Sequence, residues 1–170
     1  MISLDLSLIH IWTVRLYNIL LPIWLLWIFP QVWLIVLPGN LAIDCAVLLL
    51  TLLALGCTAK QAVLRRVWWR VCLNGFLADA AGVVWMLLGL LPIQWAWWEE
   101  SISGIMGRPF RSPLSLFWTL AGVALAGVCI YFLDRRALRR CPELEPRQQH
   151  IAALALAIGT APWLFLLPAY

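Results

Sequence analysis

The chain has 170 residues, of which 64% are hydrophobic and only 12% charged; its mean hydropathy is +0.92 and its net charge +4. An aqueous fold cannot hide that share of apolar side chains, so a soluble domain is excluded and an all-α, polytopic transmembrane helical bundle is expected. At this length residues 1–170 are expected to form a single membrane domain.

The segment Met1 to Trp12 contains Asp5 and has neither a basic start nor a small-residue cleavage site, so it does not read as a removable signal peptide. Its apolar residues alternate with Ser3, Asp5, Ser7 and His10, and residues 1–15 are expected to lie at the bilayer surface. Crossing the hydrocarbon core takes roughly 17–25 apolar residues. Such runs occur about five times, at residues 16–37, 41–57, 71–91, 114–133 and 151–167. Pro38-Gly39-Asn40 separates the first two and predicts a tight turn between antiparallel helices. Pro22 and Pro30 interrupt the first run, Pro92 bounds the third, and Gly159-Thr160-Ala161-Pro162 interrupts the fifth. Broken helices of this kind line substrate sites in transporters and also occur for packing reasons. The longest non-cytoplasmic connection, Gln94 to Pro113, is expected to hug the surface.

The basic residues collect on alternate connections. Arg15 precedes the first run, Lys60, Arg65, Arg66 and Arg70 follow the second, and Arg135, Arg136, Arg139, Arg140 and Arg147 follow the fourth. The other side receives Arg108 and Arg111, offset by Glu99 and Glu100. The positive-inside bias then predicts a multi-pass plasma-membrane protein with its N-terminus in the cytoplasm and its C-terminus outside. Trp68 and Trp69 open the third span and Trp95, Trp97 and Trp98 close it, at the depth where indole rings prefer to lie. A pI near 9.0 does not imply nucleic acid, because the cations flank spans and form no DNA-binding motif. Membrane lipid is the expected partner, with Arg135, Arg136, Arg139 and Arg140 reaching headgroups. A partner membrane protein or a second copy of the chain is a further possibility. The five cysteines and two histidines close no ligand motif, so no metal or cofactor is expected.

Two acids, Asp44 and Asp79, fall inside the expected spans, where each costs roughly 2.5–3.5 kcal/mol at a helix centre. Asn74, Ala78 and Gly82 form one helical ridge, with Gly75 and Asp79 on the next; Asn40, Asp44 and Thr51 share a side of the second span. The expected site therefore consists of Asp79 and Asn74 in the interior, with Asp44, about one turn below the outer surface, and Asn40 nearer the outer entrance. On this reading the two acids differ in depth by roughly 10 Å. Ala153, Ala157 and Ala161 in the fifth span, and Gly122 and Ala126 in the fourth, are expected close-packing seams.

Two short stretches carry resemblances. Gly39-Asn40-Leu41-Ala42-Ile43-Asp44 and Asn74 to Asp79 are similar in order to the paired motifs of lipoprotein signal peptidases, which implies acid-base activation of water by the two acids. Each stretch here has extra residues, and the basic connection between them is expected in the cytoplasm, whereas that family needs both acids at one outer surface. Gly75 to Gly82 resembles a Gly-x-x-Ala-Asp-x-x-Gly pattern of the substrate-binding subunits of energy-coupling vitamin transporters, over eight residues. The functional expectation is a transport or permeation protein, or a transporter subunit, with an intramembrane acidic site. A non-catalytic accessory or scaffold subunit and an intramembrane aspartyl protease are the alternatives.

Overall fold

The structure, a computed structural model, describes residues 30–89, 91, 98, 105 and 108–167. The surface segment 1–15, most of the first expected span and most of the connection 94–113 lie outside the described residues. Among the described residues four α-helices pack together: α1 (Pro30–Ala54), α2 (Lys60–Leu88), α3 (Pro113–Leu138) and α4 (Pro146–Gly159). Short 3-10 turns lie at Pro109–Arg111 and Trp163–Leu166, and no strand occurs among the described residues. Among the described residues four segments are long and apolar enough to cross a membrane: Leu37–Ala54, Lys60–Leu88, Pro113–Leu138 and Pro146–Leu166.

The helix ends follow from local chemistry. At the end of α1, Gly56 takes a positive φ of 66°, and Cys57 N–H reaches Leu52 O while Gly56 N–H reaches Leu53 O. This is the two-bond termination that a glycine without a Cβ permits. Ser112 caps α3 by accepting from Ser115 N–H at 3.1 Å, with Pro113 in the first turn. Glu145 and Gln148 close a reciprocal capping box around Pro146 at the start of α4.

Pro38 corrects the expected hairpin. It lies inside α1, which continues without a break from Pro30 to Ala54. A proline in a helix interior removes one donor, but in lipid no water can satisfy the carbonyls that a full turn would free, so the helix persists on both sides. The second expected span is thus the C-terminal part of a longer helix, and Asp44 lies near its middle, 14 residues after Pro30 and 10 before Ala54. Two further boundaries move. α2 begins at Lys60, so Arg65, Arg66 and Arg70 ride on its first turns, and α3 runs past Leu133 to Leu138. The expected break in the last span is present: α4 ends at Gly159, and Pro162 precedes the 3-10 turn.

The helices pack as a square, α1 and α3 each against both α2 and α4. Small residues set the spacing. A Cβ on Gly82 would meet Ala126 Cβ at 3.5 Å and Gly122 O at 3.6 Å, and one on Gly127 would meet Ala157 O at 3.6 Å. The Gly122/Ala126 and Ala153/Ala157 seams therefore pack within the chain. Leu48, Leu52, Val63, Val67, Ile130 and Leu156 fill the centre, while Leu50, Leu77, Phe117, Phe132 and Ile158 point outward. The α1–α2 and α3–α4 connections share one end of the bundle, where Arg66 Nη1 meets the Glu143 carboxylate at 3.0 Å. Both basic clusters consequently lie at the same end.

Candidate functional site: three acids within the helices

Three acids lie around the Asn74–Asp79 stretch of α2. Asp44 on α1 is 5% exposed and Asp134 on α3 is 1% exposed; on half-buried Asp79 of α2, Oδ1 is enclosed and has no hydrogen-bond partner. No lysine, arginine or histidine among the described residues lies at salt-bridge distance from any of the three. That is unusual, since buried charges are normally paired.

Each acid owes its position to a packing choice. Gly75 leaves room for Asp44 against α2: a Cβ there would stand 3.5 Å from Asp44 Oδ2. Asn74, one residue earlier, turns toward α3 and donates from Nδ2 to Asp134 Oδ1 at 2.9 Å. Asp79 lies about one turn further from the basic end. The end of α4 contributes Thr160, whose hydroxyl lies beside the Asp44 carboxyl and also donates to Leu156 O at 2.9 Å. One hydroxyl proton cannot serve both acceptors. Asp44 at Gly75, Asp134 at Asn74 and Asp79 itself are thereby gathered around one stretch of α2.

α1 runs on through Pro38, and Asp44 stands beside Gly75, which lies four residues from Asp79 on α2. Asn74 belongs to the cluster through Asp134. Asn40 is half-buried one turn from Asp44 and makes no hydrogen bond to the acids.

Nothing in known proteins matches this chain: no family model, no curated protein and no solved structure.

Sequence reasoning missed Asp134, which the run of arginines behind it made look like part of a headgroup segment. The signal was present nonetheless. Extending the Gly122/Ala126 seam in steps of four reaches Ile130 and then Asp134, and all four are buried. Of the expected headgroup residues, Arg136, Arg139 and Arg140 are exposed at the basic end, whereas Arg135 is half-buried and donates from Nη1 to the Tyr131 hydroxyl at 3.0 Å. Trp85 packs as apolar bulk, stacked on Trp118 with ring centroids 4.6 Å apart and its Nε1 donating to Trp118 O at 3.0 Å.

Proposed function

We propose that this protein is a small plasma-membrane transport or permeation protein, or a transporter subunit, whose acids hold a proton, a cation or the polar group of a solute within the bilayer. Both basic connections lie in the cytoplasm on this reading, in keeping with the positive-inside bias. One observation carries the reading: Asp79 Oδ1 is enclosed without a partner, and among the described residues none of the three acids is paired with a base. A carboxyl is a costly way to fill a helix contact that serine or leucine would fill, and a partnerless one adds nothing to packing. Asp44 and Asp79 supply acceptor oxygens, and Thr160, its proton engaged by Leu156 O, adds lone pairs beside Asp44. Asn74 and Asp134 orient the end of the site nearer the basic residues.

The test uses the purified full chain in proteoliposomes, with an enclosed pH dye reporting proton flux and radioactive sodium reporting cation uptake. Asp79→Asn is expected to abolish the flux while the bundle stays folded in detergent; flux equal to that of the unaltered protein removes the proposal.

The Asn74–Asp134 bond favours a second reading, an accessory or scaffold subunit whose polar residues lock helices together. Purification in mild detergent separates the two, since a stoichiometric partner supports the scaffold and solo flux supports the carrier. A protease would instead cleave a membrane peptide and lose that cleavage in both Asp44→Asn and Asp79→Asn.

A further inference from the structure

A groove of about 750 Å³ runs along the outside of the bundle between α3 and α4, within the size range of ligand sites. Its walls are apolar, among them Val128, Phe132, Leu154, Ile158 and Trp163, and none of the three acids lines it. Along α3 it extends from Leu120 to Phe132, twelve residues or about 18 Å, close to the thickness of one leaflet of the hydrocarbon core, about 15 Å.

The end of the groove nearest the basic connections is polar. Arg135 Nη1 donates to the Tyr131 hydroxyl at 3.0 Å, and that hydroxyl shares a 2.7 Å hydrogen bond with His150 Nδ1. The hydroxyl thus ties the guanidinium of α3 to the imidazole of α4 across the groove end. Beside the groove mouth Arg135 keeps its remaining guanidinium N–H groups, all donors. Arg139 and Arg147 are exposed about one turn further out. The neighbouring acids are engaged elsewhere, Glu143 with Arg66 and Glu145 in the capping box of α4, and Asp134 faces the interior.

We infer that this groove is a binding site for a phospholipid of the leaflet at the basic end, one acyl chain lying along α3 and α4 and the anionic headgroup phosphate accepting from Arg135. The match is one of charge and length: Arg135, Arg139 and Arg147 at the headgroup level, and an apolar trough one leaflet deep. This inference does not depend on the transport reading.

Native mass spectrometry of the purified full chain tests it. Phosphatidylglycerol is expected to be retained one per chain and about fivefold more tightly than phosphatidylcholine of the same chains. Arg135→Gln is expected to remove that preference, and Ala124→Trp, which fills the trough away from the polar end, to weaken both lipids. Inorganic phosphate is expected not to displace the lipid. Equal retention of the two lipids, an unchanged preference in Arg135→Gln, or displacement by phosphate overturns the site. Because a variant can fold poorly, the groove is also probed in native membranes with the photo-crosslinker p-benzoylphenylalanine in place of Val128. A phospholipid adduct supports the inference; an adduct to residues 1–29 or to another protein overturns it.

Discussion

Asn74 on α2 donates its side-chain amide to the Asp134 carboxylate on α3 across 2.9 Å, 60 positions apart in the chain. The bond links the two most extensively packed helices and is the sole hydrogen bond to Asp134 among the described residues. Its value is testable by a double-mutant cycle in detergent. Polar pairs inside membranes couple by about 0.6 kcal/mol on average and about 1.7 kcal/mol at most. Asn74→Ala is expected to cost more than the coupling, about 1–3 kcal/mol, because it leaves a buried acid with no donor. Asn74→Leu combined with Asp134→Leu is expected to recover most of that loss.

Asp79 is expected to behave in the opposite way. With Oδ1 enclosed and unpartnered, the side chain contributes little to the fold. Asp79→Leu is expected to leave stability unchanged or raise it by about 1–2 kcal/mol in unfolding assays. A loss of stability on that substitution would mean that the acid serves packing, which would favour the scaffold reading.

Gly122 allows α3 to approach Trp85 on α2: a Cβ there would stand 3.0 Å from Trp85 Cδ1. Trp85 cannot retreat easily, since it is stacked on Trp118 and bonded to its carbonyl. Gly122→Val is therefore expected to destabilise the bundle by about 1–3 kcal/mol through overpacking. Gly39, with nothing within 4 Å of its Cβ position, is expected to accept alanine without loss. Comparative melting of the two variants in detergent checks both expectations.

Membrane orientation follows from which end of the bundle each loop occupies. In a background without native cysteines, Thr58→Cys and Arg139→Cys are expected to react with an impermeant thiol reagent only after the cells are opened. Phe110→Cys, 68% exposed at the other end, is expected to react in intact cells. The opposite labelling would reverse the orientation while leaving the helix packing untouched.

Cys141 offers a fold reporter at the basic end. Its side chain is fully enclosed, and burial, followed by the charge of Glu143, pushes its thiol above the ordinary value. A raised value means less thiolate at any given pH, so alkylation near pH 8 is expected to be slow in the folded protein and to accelerate on unfolding in SDS. Quantitative labelling with and without SDS measures the difference.

Most of the architecture was legible because transfer into lipid acts on each segment by its own composition. The positions of the α2, α3 and α4 spans, the break at Gly159–Pro162 and the Gly122/Ala126 seam can all be read from runs and i+4 spacing. The hairpin at Pro38 failed because turn signals learned in water lose force where no solvent can accept a freed carbonyl. Asp134 was missed because its immediate neighbours are arginines, and only its helical face, not its neighbourhood, places it inside.

The sequence by itself determined that this is a helical membrane protein with its cations gathered on alternate connections, since hydrophobic length and charge act residue by residue. Only the tertiary structure decided that Asp44, Asp79 and Asp134 lie around one stretch of α2 and that Tyr131, His150 and Arg135 share one groove end. Those groupings join residues from different helices, and what joins them is the close approach allowed by small side chains such as Gly75, Gly82 and Gly127, a property of pairs of surfaces that no single segment carries.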